Sequence, residues 1–211
     1  MAASHNMTMK SFKLIFWQFQ THAQHGFTLI ELMVTIALLA IIMSLAVPSF
    51  QQTIASTKLT STSTDLYSSL LQARADAISQ GERMTVCKSS DGSSCIVGTK
   101  TTWSIGWITF VDSTRSVNPT VDAGETVTYI VQATDPAITV SGNGSLVNYV
   151  SFSADGKSKQ ISGGFQSGTI RICSSSSALS DDKRARDLEI NIAGRVTIKK
   201  PLGVDAACTP L

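Results

Sequence analysis

Glu31 is a carboxylate at the edge of a long apolar run. Leu32 to Val47 is almost wholly aliphatic, and no charged residue occurs from Leu32 through Thr57. An ionised acid at the centre of a bilayer helix costs roughly 2.5–3.5 kcal/mol even on lenient scales. Such a group either marks the interfacial start of the helix or holds a cation inside the apolar phase. Cleavage after Gly26 would supply that cation, because it would leave Phe27 as a new N-terminal amine and Glu31 as the fifth residue of the shortened chain.

The other reactive side chains point away from catalysis. All three histidines (His5, His22 and His25) precede Gly26. A chain cut there has no imidazole for a Ser-His-Asp triad, a Cys-His pair or a His-ligated metal. No Walker-type phosphate loop occurs, and carboxylate pairs such as Asp181-Asp182 lie in loop-like sequence, where solvated acids are ordinary. The expectation is a protein with no catalytic residues, no metal and no cofactor.

Four cysteines, Cys87, Cys95, Cys173 and Cys208, lie beyond the apolar run. An even count in an exported domain argues for two disulfides in an oxidising periplasm. Three pairings are possible. The preferred one joins Cys87 to Cys95, closing the short turn from Lys88 to Ser94, and Cys173 to Cys208, fastening the tail to a sheet. Each would contribute roughly 2–4 kcal/mol, mainly by restricting the unfolded chain. A Cys₄ zinc site would need paired short Cys-x-x-Cys spacings, and these are absent.

These residues depend on three kinds of segment. Residues 1–26 carry Lys10 and Lys13 but no acid, so this end is expected to stay cytoplasmic while the rest is sent outward. They read as a leader that is removed. A secretory signal peptide fits less well, because the small-residue cleavage site after the apolar run is poorly formed, and Met7 or Met9 offers another start. Loss of the leader takes two of the 17 basic residues and leaves 15 against 15 acids. No whole-protein field then draws the chain to nucleic acid or anionic lipid.

Residues 27–52 read as a transmembrane helix, with Pro48 kinking it rather than ending it. Residues 53–80 continue as an amphipathic helix. Leu59, Leu66, Leu70, Ala73 and Ala77 recur near helical spacing, opposite Lys58, Asp65, Arg74 and Asp76. Gly81 is a natural stop. One helix over this length would extend about 80 Å.

Residues 81–211 read as a β domain. Expected strands are Arg83–Lys88, Ile105–Val111, Thr126–Val131, Ala137–Val140, Val147–Ser153, Thr169–Cys173, Leu188–Ile192 and Arg195–Lys199. Most alternate apolar and polar residues, and Gly, Asn, Asp and Ser punctuate them. Ala193-Gly194 reads as a tight hairpin in which Gly194 supplies positive φ. The Ser174–Ser177 run reads as a flexible, exposed loop.

Gly26-Phe27-Thr28-Leu29-Ile30-Glu31-Leu32 followed by an aliphatic helix resembles the leader of type IV pilins and type II secretion pseudopilins. The resemblance implies cleavage after Gly26 by prepilin peptidase, N-methylation of Phe27, and pairing of Glu31 with a neighbouring subunit's terminal amine. The β half resembles the FimT/GspH group of minor pilins and H-type pseudopilins. The likeness lies in Thr85–Gly92, Val150–Lys157, Gly168–Cys173 and Leu188–Val196, and in their order. It implies an α+β, pilin-like lollipop whose long helix packs by its outer half on an antiparallel β domain. It also implies a minor filament component, at the tip or scattered along the fibre. The partners are then prepilin peptidase, other pilins or pseudopilins, and the bacterial inner membrane, crossed once with the β domain periplasmic.

Some members of that group bind DNA through a basic Gly-Arg-x-Arg stretch. Here the stretch reads Gly194-Arg195-Val196-Thr197, without the second arginine. The candidate phosphate contacts are Arg195, Lys199 and Lys200, with Lys183, Arg184 and Arg186 upstream. Asp181, Asp182, Asp187 and Glu189 oppose them, and lysines on a hairpin edge also serve as plain edge protection. The favoured function is a structural minor pilin or pseudopilin that helps initiate or assemble a pilus or secretion pseudopilus. DNA binding during uptake is the alternative.

Mass spectrometry of the native mature protein should return N-methylated Phe27 as the first residue. Bulky replacements of Gly26 should leave the leader attached. A native chain beginning elsewhere would remove the basis for this reading.

Overall fold

The computed structural model describes residues 26–100, 102–114, 118–205 and 207–208. The leader lysines and the three histidines lie outside them. The chain divides into two units, one ending at Met43 and one beginning at Ser44.

Helix α1 spans Leu29–Gln80. In the first unit Thr28 caps it: the Thr28 hydroxyl accepts the Glu31 N–H (3.2 Å), and its carbonyl accepts that of Leu32 (3.1 Å). Every residue from Leu29 to Met43 is exposed. The helix is apolar on all sides there, as is proper to a segment surrounded by lipid or by other apolar helices. By length and composition it can cross a membrane.

In the second unit α1 runs on through Pro48. From Ala55 it becomes one-sided, with Leu59, Leu66, Leu70, Ala73 and Ala77 fully buried, as their spacing requires. Ser63 and Ser69 share that buried face. Their hydroxyls donate to the carbonyls of Leu59 (2.6 Å) and Asp65 (2.8 Å), so neither is orphaned. Ser69 also accepts the indole N–H of Trp107 (3.0 Å), tying helix to sheet. Gly81, at φ +72°, ends the helix.

Eight strands follow: β1 Met84–Lys88, β2 Trp107–Val111, β3 Val127–Val131, β4 Ile138–Gly142, β5 Tyr149–Phe152, β6 Gly168–Ser174, β7 Ala185–Ile190 and β8 Val196–Lys199. They form two antiparallel sheets, ordered β3-β2-β1-β5 and β4-β6-β7-β8. One core joins the buried α1 stripe to Met84, Val86, Trp107, Val150 and Phe152 of the first sheet. The same core includes Ile170, Ile172, Leu188, Ile190 and Val196 of the second. Each such side chain contributes roughly 1.5–3 kcal/mol by leaving water.

Three expectations are corrected. The strand expected from Ile105 starts at Trp107, because Trp103–Ile105 forms a 3₁₀ turn that buries Trp103 and directs its indole N–H to the Leu146 carbonyl (3.0 Å). The strand expected over Leu188–Ile192 runs from Ala185 to Ile190, since Ile192 and Ala193 are the turn residues of the hairpin. The serine run is not wholly an exposed loop. Ser174 closes β6, buried, and its N–H donates to the Arg184 carbonyl (2.8 Å).

Arg74 of α1 holds two turns at once, donating to the carbonyls of Gly156 (2.9 Å) and Ala193 (3.1 Å). Gly194 sits at φ +74°, and a Cβ there would run into the Gly156 carbonyl oxygen. Gly163 has φ +99° but open space around it. Gly163→Ala should therefore cost about 1–2 kcal/mol from its backbone conformation alone. Gly194→Ala should cost clearly more, because the two turns must also separate. Denaturant unfolding of the two variants checks this, and equal losses would show that the turns yield freely.

Candidate assembly surface and basic face

At the N-terminal end Phe27 is 81% exposed, and the neighbouring Leu29, Ile30 and Leu32 are also open. Thr28 satisfies the backbone of Glu31. The Glu31 carboxylate itself has no cation among the described residues. The site is thus an exposed acid on the first turn of an apolar helix, and it calls for a cation only where that turn enters an apolar medium.

The second unit is closed by two disulfides, Cys87–Cys95 (Cα–Cα 5.6 Å) and Cys173–Cys208 (5.8 Å). The first pins a loop against Ile108 and Phe110 on the outer face of the first sheet. Within that loop Asp91 accepts the N–H groups of Ser93 (2.9 Å) and Ser94 (2.8 Å) and the Ser94 hydroxyl (2.6 Å). These bonds, the Ser94 hydroxyl first, hold its pKa well below the usual carboxylate range. The second disulfide brings Val204 and Cys208 down onto Cys173 and Ala185.

Buried polar groups on the first sheet form a chain. Arg83 donates to the Ser151 hydroxyl (3.3 Å), Ser151 and Thr85 hydroxyls meet at 3.0 Å, and Thr85 donates to Asp112 (2.7 Å). Burial raises the Asp112 pKa, against the Thr85 hydrogen bond and the Arg83 charge. The arrangement links β1 to β5 and to the residue that follows β2. Among the described residues no cluster of three or more His, Cys, Asp or Glu side chains could hold a metal ion.

The six cations considered for phosphate contact do not form one surface. Arg184 is withdrawn from that set: it is 5% exposed. Its guanidinium donates to the carbonyls of Ser174 (3.3 Å), Ser176 (3.3 Å) and Leu179, and to Asp181 (2.9 Å). Arg186 is half-buried and donates to the carbonyls of Lys183 (3.2 Å) and Ala185 (2.7 Å). Lys199 pairs with Glu189 at 2.6 Å. Arg195, Lys200 and Lys183 remain exposed. Arg195 and Lys199 border an open groove of about 490 Å³, with Thr169, Glu189, Asn191 and Thr197. Sequence reasoning missed the role of Arg184, whose available signal was Asp181 three residues before it.

The long apolar helix followed by antiparallel sheets defines a pilin-like α+β protein. The family model of the type II transport protein GspH matches residues 62–194, more than half of the chain, and a prokaryotic N-terminal methylation motif matches residues 21–47. The chain belongs to the GspH family. Membership implies assembly with other pilins or pseudopilins and processing by prepilin peptidase. No curated protein matches the sequence. Among solved structures, the type IV minor pilin FimU of Pseudomonas aeruginosa PAO1 is similar in two crystal forms. The form in space group P21 shares 19% identity, with 72% of this chain and 96% of that chain covered and a TM-score of 0.46. For the P65 form the figures are 18%, 74%, 99% and 0.41.

Arg184→Gln should destabilise the protein by about 2–4 kcal/mol, since several buried hydrogen bonds to a charged donor are lost together. Arg195→Gln, on the exposed face, should change stability by less than about 0.5 kcal/mol. Thermal unfolding of both variants distinguishes a structural Arg184 from a surface one.

Proposed function

We propose that this chain is a minor pilin or pseudopilin, cut after Gly26 and methylated on Phe27, that helps initiate or assemble a type IV pilus or type II secretion pseudopilus. Residues 27–52 hold it in the inner membrane before assembly, with the N-terminus cytoplasmic. Residues 53–80 continue the helix, and residues 81–211 form the periplasmic β domain. The observation that carries this reading is the unpartnered Glu31 carboxylate on the exposed apolar helix. A neighbouring subunit's N-terminal amine is the cation that fits it, because a charge pair in an apolar medium is strong where a lone charge is costly. A DNA-uptake role is favoured by no comparable feature. Arg184 is enclosed, Lys199 is paired, and Thr197 stands where the DNA-binding relatives carry arginine.

Glu31→Ala should still be cleaved and should remain in the membrane, since losing a charge only makes the span more apolar. It should enter filaments at well under half the native level, read by immunoblot of sheared filaments against the membrane fraction. Normal incorporation would show that the carboxylate has no pairing role.

A further inference from the structure

Two four-stranded sheets leave four edge strands, β3, β5, β4 and β8. Unpaired edges invite other strands, and proteins block them in recognisable ways. On β5 the Gln166 side chain accepts the Ser151 N–H (2.9 Å) and donates to the Tyr149 carbonyl (2.9 Å), while Lys159 N–H takes the Ser151 carbonyl (3.0 Å). On β4 the Ser104 hydroxyl accepts the Val140 N–H (2.8 Å), and Thr134 donates to the Ile138 carbonyl (3.3 Å). On β3 the register shifts at Thr109/Phe110, a bulge that spoils regular pairing.

Among the described residues β8 has neither a side-chain blocker nor a bulge; its protection is confined to the lysines and Pro201 at its end. Its register with β7 is regular over Val196–Lys199. Beyond the hairpin turn, Asn191 N–H donates to the Arg195 carbonyl (3.1 Å). Alternation from that bond turns the N–H and C=O groups of Val196, Ile198 and Lys200 toward the open side. Ile198 is 42% exposed and Leu202 88%. At the two ends stand Arg195 and Lys200, exposed and without an ion-pair partner among the described residues.

The charges select the occupant. In an antiparallel pair of two β8 strands the outward groups of Val196, Ile198 and Lys200 must face one another. Centred on Thr197, such a pair sets Arg195 of one copy against Lys199 of the other, and like charges directly opposite are destabilising; centred on Ile198, it gives Arg195 and Lys200 no opposite charge. A strand bearing carboxylates at those two positions meets both cations and places an apolar residue against Ile198. We propose that β8 is a docking edge for an extended, acidic protein segment, with carboxylates five residues apart, that adds as an antiparallel strand. Main-chain bonds to Val196, Ile198 and Lys200 give the contact its strength, and the end charges give it selectivity. This holds whichever filament the subunit serves.

The test uses the processed full-length protein in detergent micelles. The probes are the peptides Glu-Thr-Val-Thr-Val-Glu and Gln-Thr-Val-Thr-Val-Gln, with binding read by fluorescence anisotropy and by amide hydrogen exchange. The acidic peptide should slow exchange in residues 196–200 and leave 127–131 unchanged. The glutamine peptide should bind about fivefold more weakly, as two exposed ion pairs allow. The double change Arg195→Glu and Lys200→Glu should reverse the preference toward Lys-Thr-Val-Thr-Val-Lys. Equal binding of the first two peptides, protection elsewhere, or no binding at millimolar peptide would overturn the proposal. So would duplex DNA protecting residues 196–200 where the acidic peptide does not, since the cations would then serve nucleic acid.

Discussion

One face of one helix is the partner of both sheets. The buried stripe from Ala55 to Ala77 lies in the same apolar cluster as the inward residues of β1, β2 and β5 and those of β6, β7 and β8. An antiparallel sheet with one apolar face needs a second layer, and here two sheets use the same one. The small residues on the stripe follow from this. Ala55, Ser63, Ser69, Ala73 and Ala77 keep the helix thin between the large side chains of Trp107, Phe152 and the leucines. A hydroxyl can be buried there only because the helix carbonyl four residues back accepts it.

Around this core, polar groups and covalent links close what burial leaves open. Arg74 joins the helix to the turns at Gly156 and Ala193. Arg171 and Asp187 pair through two bonds of 2.8 Å across β6 and β7, mostly shielded from water. A bidentate pair of this kind is directional, so it fixes strand register as well as adding attraction. Arg184 does the same for the connection between those strands, gathering carbonyls that no strand partner could reach. The disulfides then hold the two segments that core contacts alone would leave loose, the loop after β1 and the C-terminal tail.

What could be read in advance divides along physical lines. Periodicity is a property of the chain itself, so the helix stripe and most strands were legible. Leu188-Glu189-Ile190 alternates because one sheet face is buried, and Gly81 ends a helix because it adopts φ +72° freely. The start of β7 was illegible for the opposite reason. Ala185, Arg186 and Asp187 look like loop residues until Arg171 is placed beside Asp187 by the fold. Ile105 was misplaced because a 3₁₀ turn and a strand draw on the same apolar residue types. At the candidate site the acid Glu31 stood out through its apolar neighbours. The basic cluster was harder to read, because a run of cations does not disclose which of them, like Arg184, the protein uses for itself.

The two units differ in whether the chain can satisfy itself. From Ser44 onward nearly every buried polar side chain has a partner, Thr109 being the exception among the described residues. From Thr28 to Met43, Thr28 takes the Glu31 N–H, the Thr35 hydroxyl donates to the Leu32 carbonyl (2.8 Å), and the helix ladder takes the backbone, all of them bonds internal to the helix. The aliphatic side chains there are exposed, and the one acid has no cation among the described residues. A helix in that condition cannot be stable in water by its own contacts, since most helical stability in proteins comes from packing an apolar face. Lipid can cover the aliphatic surface but gives the carboxylate nothing. On the proposed processing, other subunits of the same kind would offer both aliphatic surface and a terminal amine, and the needs of this segment point to such a partner rather than to a ligand in a pocket.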